Sequence, residues 1–137
     1  MASKNPQNAL VMQSGGCTPV LNQSLSGVVS TAAASKYIST VYGSIHGLEG
    51  IIEGQFVDLT ALSDRKWSKI RRAPGAALGS TRRKFLTEDA PRVISVFSEW
   101  DIRYLFTIGG NDSAGTALEL SHVSKSMGYP LTVMNIP

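Results

Sequence analysis

The 137 residues contain one cysteine, Cys17, so no internal disulfide can form and the fold has to rest on its core, as in a reducing compartment. No apolar run approaches the ~18 to 20 residues that a bilayer-crossing helix needs. The opening MASKNPQNALVMQSGG also lacks the apolar stretch of a secretory signal. A cytoplasmic protein with no membrane partner is therefore expected. Charged residues make up only 17% against 42% hydrophobic, which excludes a disordered chain, since such chains are poor in apolar residues and rich in charge. There are no internal repeats, low-complexity stretches or linker segments. One domain with one core suits the length.

What is present is an alternation of strand and helix signals. Asn8 to Met12 is a short apolar run ending in Ser14-Gly15-Gly16, the pattern of a buried strand entering a glycine turn. A helix over about 19–35 follows, with Thr18 as N-cap, Pro19 in its first turn, and Val20, Leu21, Leu25, Val28, Val29 and Ala32 at helical spacing. Ser39 to Tyr42 reads as a second strand, Leu48 to Ile52 as one helical turn among glycines, Phe56 to Leu59 as an edge strand, and Ser63 to Arg72 as a short helix. Thr87 is the expected N-cap of a helix to about Glu99, with Val93, Ile94, Phe97 and Trp100 on its buried side. Arg103 to Ile108 is a strand, a helix from about Ser113 to Met127 ends at Gly128, and Leu131 to Met134 is a last strand. This order predicts an α/β fold, a Rossmann-like parallel sheet flanked by helices, with its ligand crevice at the carboxyl ends of the strands.

Two of those ends carry glycine pairs followed by helices. After Ser14, Gly15 and Gly16 let the backbone approach a ligand, and the helix that follows adds unpaired N–H groups suited to phosphate. The turn lacks the lysine of a Walker A loop and the third glycine of GxGxxG, and a plain tight turn is the alternative. In Ile108-Gly109-Gly110-Asn111-Asp112-Ser113 the glycines are joined by an amide, a carboxylate and a hydroxyl, hard oxygen donors suited to Mg²⁺ or its water shell; helix capping is the alternative. Of the 13 basic residues, eight lie between Arg65 and Lys84, and only Asp64 adjoins them. Such a field attracts an anion, whether nucleic acid, membrane phosphate or a small phosphorylated molecule, unless it is merely a solvated face. His46 and His122 are isolated, without a second ligand at metal spacing. Cys17 has no acid or base neighbour in sequence and reads as a packing residue.

Taken in order, SGGCTPVLNQSLSGVV (14–29), ALGSTR (77–82) and GGNDS (109–113) resemble the amino-terminal part of the phosphofructokinase family. The resemblance covers essentially the whole chain. It implies that Gly15, Gly16, Gly110, Asp112 and Ser113 surround the phosphoryl donor, that Arg82 reaches it and acts in catalysis with Asp112, and that Asn111 is placed toward Mg²⁺. Asp112 stands where ATP-using members resemble GGDGS. Together with the SGG–Thr18-Pro19 opening this is similar to the pyrophosphate-using group, and it implies pyrophosphate and fructose 6-phosphate as substrates, no nucleic acid, and a homo-oligomer in the full-length form. A carboxylate beside the α-phosphate of ATP would be a like-charge contact that pyrophosphate avoids. Asn111 departs from the aspartate of many members, and an amide oxygen binds the metal without charge. Asn135-Ile136-Pro137 resembles the lead-in to the family's lysine-threonine-isoleucine-aspartate segment, whose aspartate is the general base. The expectation is thus a donor-binding part over 1–137, incomplete at its carboxyl end and inactive alone. An ATP-dependent phosphofructokinase, a kinase sharing the GGD loop, and a non-catalytic regulatory chain remain as alternatives.

Overall fold

The computed structural model of the chain describes residues 6–13, 19–72, 77–79 and 84–136, with the backbone alone at 19–21, 111 and 112. Among them, strands β1 (Gln7–Gln13), β2 (Ile38–Ser44), β3 (Phe56–Asp58), β4 (Ile102–Ile108) and β5 (Thr132–Ile136) form one sheet in the order β3-β2-β1-β4-β5. Helices α1 (Pro19–Ala33), α2 (Gly47–Glu53), α3 (Asp64–Arg72), α4 (Ala90–Glu99) and α5 (Asn111–Ser126) connect them. β1 lies parallel to β2 and β4, and β4 lies parallel to β5. The edge strand β3 is antiparallel to β2, so the expected parallel sheet is mixed. Only residues 45–55 separate β2 from β3, fewer than a parallel crossover requires.

Alternation along β1 divides the core in two. Leu10 and Met12 face Leu48 and Ile51 of α2, Val93 and Phe97 of α4 and Leu120 of α5. Ala9 and Val11 face Leu25, Val29 and Ala32 of α1, with Trp67 and Ile70 of α3 packed alongside. A strand buried on both faces reads as a continuous apolar run, and this one does. The chain crosses from β1 to β2 in one direction along the sheet and from β4 to β5 in the other. Right-handed connections then put α1 and α5 on opposite faces.

Local signals mostly hold. The Lys66 N–H donates to Ser63 Oγ at 3.3 Å at the start of α3. Gly128, at φ +72°, ends α5, with the Tyr129 N–H returning to the Ser124 carbonyl at 2.8 Å. Thr87 does not cap: it lies inside a 3-10 turn, Thr87–Asp89, that leads into α4. The polar contact there is the Leu86 N–H donating to the Asp89 carboxylate at 2.9 Å, because an acid three residues into the turn reaches back to an amide that Thr87 lies too far along to meet. Trp100 packs edge-on to Tyr42 and Phe56, at centroid distances of 5.1 and 4.9 Å, and so ties the end of α4 to the β2–β3 edge.

On the α1 face the sheet is incompletely covered over β4 and β5. A groove of about 490 Å³ runs between Gly27, Val28 and Thr31 of α1 and Phe106 and Met134 of the sheet, and Met134 is 49% exposed. A Cβ added at Gly27 would meet nothing within 4 Å, while glycine inside a helix costs about 1 kcal/mol relative to alanine. Gly27→Ala is expected to raise the melting temperature of this chain by about 3 °C. A fall in a thermal melt would show that something lies against Gly27.

Candidate functional site

Strand register assembles the site. In the parallel pairing, Gln13 lies opposite Ile108 and Ile108 lies opposite Ile136, so three strands end at one level. Adjacent strands are about 4.8 Å apart, which makes the strand ends at Gln13 and Ile108 immediate neighbours. Two bonds fix the β4 and β5 ends to each other. The Gly109 N–H donates to the Ile136 carbonyl at 3.1 Å, and Thr107 Oγ1, fully buried, donates to Asn135 Oδ1 at 2.7 Å.

α5 starts directly from this level. Gly110 is its N-cap, so Asn111, Asp112 and Ser113 are its first three residues, two positions earlier than the sequence pattern places the start. Ala114 N–H closes the first turn on the Gly110 carbonyl at 3.1 Å, leaving the amides of 111–113 without an intrahelical acceptor. Ser113 is 1% exposed, and its Oγ has no hydrogen-bond partner among the described residues. A buried hydroxyl left unpaired costs about 1–3 kcal/mol, which makes this helix N-terminus a candidate place for a ligand that offers it an oxygen.

A second feature is a pair of buried amides at the end of β1. Gln13 and Asn22 are both 0% exposed. Gln13 Oε1 accepts the Leu78 N–H at 3.0 Å, Gln13 Nε2 donates to Asn22 Oδ1 at 3.2 Å, and the same Asn22 oxygen accepts the Ala77 N–H at 2.8 Å. From the other side the His46 N–H donates to the Leu78 carbonyl at 2.8 Å. Residues 77–79 are thereby held against β1, α1 and the end of β2. Gly79 follows at φ +75°, and a Cβ there would lie 2.5 Å from the His46 ring. The glycine is therefore required twice, by its left-handed backbone and by the ring beneath it.

Of the residues that the sequence nominates, Gly110, Asn111, Asp112 and Ser113 come together at the α5 N-terminus. Gly15, Gly16 and Arg82, with Thr18 and Cys17, lie outside the described residues. His122 and His46 are exposed, and no group of three or more His, Cys, Asp or Glu able to hold a metal occurs among the described residues. α3, which carries five of the basic residues, buries none of its side chains fully. It leans on α1 through Arg71, whose Nη1 donates to Ser26 Oγ at 3.0 Å. Gln13 is the site residue that sequence reasoning missed. Its signal was a long amide ending an otherwise apolar strand, two residues before the first glycine of the turn.

A mixed, mostly parallel sheet with helices on both faces and three parallel strands ending at one level defines a doubly wound α/β domain. The Phosphofructokinase family model matches residues 8–137. The chain belongs to the phosphofructokinase family. It is 38% identical over 136 residues to a pyrophosphate–fructose 6-phosphate 1-phosphotransferase of Halomonas elongata, covering 95% of this chain and 32% of that protein. To the enzyme of the same name from Methylococcus capsulatus it is 39% identical over 137 residues, covering 96% and 33%. The crystal structure of a pyrophosphate-dependent phosphofructokinase from Nitrosospira multiformis superposes with a TM-score of 0.90 at 37% identity, over 96% of this chain and 33% of that one. The chain thus spans about a third of the length of these relatives.

Gly79→Ala is expected to cost about 1–3 kcal/mol from left-handed backbone strain and the clash together. Placed in a His46→Gly background the same change should cost at least ~1 kcal/mol less, because the clash is gone. Denaturant midpoints of the four forms give the comparison, and strictly additive changes would dismiss the ring contact.

Proposed function

We propose that this chain is the donor-binding part of a phosphotransferase that moves a phosphoryl group from pyrophosphate to the 1-hydroxyl of fructose 6-phosphate, in glycolysis or gluconeogenesis. The observation that carries the reading is the Gln13–Ile108 register, which ends β1 and β4 at one level at the sheet's carboxyl end, each strand being followed in sequence by a glycine pair, in a chain more than a third identical to enzymes named for that reaction.

In this reading pyrophosphate lies between the two turns. Amides of Gly15 and Gly16 meet it on one side, and Gly110, Asp112 and Ser113 on the other. Helix N-termini supply unpaired donors and positive potential there. The Ser113 hydroxyl, buried and unpaired among the described residues, donates to a phosphate oxygen. Arg82, three residues beyond the anchored Gly79, neutralises charge on the transferring group. Phosphoryl transfer needs little covalent help from a protein, so positioned donors and one guanidinium are adequate parts. An amide, a carboxylate and a hydroxyl in the first turn of α5 fit Mg²⁺, with Asn111 the residue nearest the role of ligand. With no acidic cluster among the described residues, the phosphate oxygens themselves would hold most of the ion, which supplies charge neutralisation when bound. The sugar phosphate and the general base belong to segments that the relatives carry beyond the part matched here.

Asp112 acts as the donor gate in this reading. Its carboxylate repels the α-phosphate of ATP at a partly desolvated site and leaves pyrophosphate, which has no third phosphate, unaffected. The intact enzyme, assayed with both donors side by side, is expected to use pyrophosphate and not ATP. Arg82→Ala should lower kcat by about a hundredfold or more with the fold retained, and by more than Arg83→Ala or Lys84→Ala. Asp112→Gly should gain ATP use while losing pyrophosphate activity. Equal use of ATP by the unmodified enzyme would reverse the donor assignment, and loss of pyrophosphate use without gain of ATP would remove the gate.

A further inference from the structure

We infer that Asn135 is a further binding residue for the phosphoryl donor, its side-chain amide held by Thr107 so that the two N–H groups of Nδ2 serve the anion site at the start of α5. The inference rests on the donor reading above and deepens it. Both residues lie in strands, outside the glycine turns.

Strand alternation places the pair. Thr107 and Asn135 are directly matched in the parallel β4–β5 register, one residue before the level at which both strands end. Two residues earlier, Leu105 and Val133 pack in the cluster shared with α5, whereas Phe106 and Met134 line the groove on the α1 face. Thr107 and Asn135 therefore stand on the α5 face, at its carboxyl end. The start of α5 adjoins them, because the Gly109 N–H donates to the Ile136 carbonyl and Gly110 is the N-cap.

Three kinds of donor adjoin one another there. The backbone amides of 111–113 have no intrahelical acceptor, and Ser113 Oγ is buried without a partner among the described residues. Asn135 supplies the third. Its Oδ1 accepts the hydroxyl proton of Thr107 at 2.7 Å, and Thr107 is wholly buried, so the acceptor side of the amide turns toward the sheet. The donor side is the opposite branch of the same planar group. It faces outward from an exposed residue and has no partner among the described residues. Packing alone does not call for this arrangement: valine matches the shape of threonine with no hydroxyl to satisfy, and asparagine is among the residues least suited to a strand. What the pair supplies is a fixed direction for two N–H groups beside an anion site. Phosphoryl transfer draws on donors held in this way, since they need no reorganisation as charge shifts.

The test uses the intact enzyme and reads KM and kcat for each substrate together with the melting temperature. Asn135→Ala is expected to raise the KM for pyrophosphate about tenfold or more, as loss of a hydrogen bond to a charged ligand does, with the KM for fructose 6-phosphate unchanged. Thr107→Val leaves the amide in place but untethered and should raise the pyrophosphate KM about threefold. In the Asn135→Ala background the same Thr107→Val change should leave both KM values where they are, because the threonine acts through the amide. Asn135→Asp keeps the acceptor that Thr107 needs, so it preserves the fold if Asn135→Ala does not. It removes both donors, adds a like charge and should raise the pyrophosphate KM the most. The proposal is overturned if folded Asn135 variants keep the parental KM for pyrophosphate, or if the KM for fructose 6-phosphate rises as much, as a general loosening would make it. It is overturned too if Thr107→Val costs as much donor affinity in the Asn135→Ala background as in the parent. An unmodified enzyme that turns over ATP but not pyrophosphate refutes the donor assignment instead, and Asn135 is then judged by the KM for ATP in the same variants.

Discussion

The parallel pairing of β1 with β4 is the constraint from which the rest of the site follows. A ladder of this kind admits no continuous adjustment, since a slip of one residue would turn the β4 side chains to the wrong face and move Phe106 and Ile108 out of the core they share with Ala9 and Val11. Burial on both faces of β1 therefore fixes the level at which Gln13 and Ile108 end. The ends of β1 and β4 are adjacent because the core beneath them is packed.

Around that level the fold uses directional bonds where apolar packing alone would leave freedom. Thr107 and Asn135 lock the end of β4 to β5, and Gln13 and Asn22 lock the end of β1 to the 77–79 segment. Thr107, Gln13 and Asn22 are wholly buried, where a hydrogen bond is electrostatically stronger than in water and a broken one is costly, while Asn135 is exposed. The polar residues that fix the strand ends are thus paired with one another or with backbone amides. Ser113 differs from them, with a buried hydroxyl and no partner among the described residues.

The two faces of the sheet differ in a related way. The face carrying α2, α4 and α5 is closed by Phe97, Leu120 and the Trp100 aromatic group. The α1 face over β4 and β5 leaves Phe106 and Met134 lining an apolar groove. Right-handed crossovers send the β4–α5–β5 unit to the first face only, so this asymmetry comes from connection order.

Much of this was legible in the residues themselves. The apolar run at 9–12, the helical spacing from Leu25 to Ala32 and the glycine pair at 109–110 fall where the elements are, because each signal acts over a few neighbouring residues through burial period or backbone freedom. The same local chemistry marked Gly110 to Ser113 as a site and, with the resemblance to phosphofructokinases, a family to which the chain does belong. Non-local matters were out of reach. That β3 turns antiparallel depended on the short span between it and β2, that Thr87 yields to Asp89 depended on a 3-10 turn, and that Gln13 matters depended on Leu78 arriving beside it from 65 residues away. Sequence by itself determined which stretches are strand, turn and helix and which polar groups stand at the strand ends. Only the tertiary structure decided which of those ends share a level and which buried amides bind them, because hydrogen bonds between distant segments are set by how the core packs and leave no periodic trace along the chain.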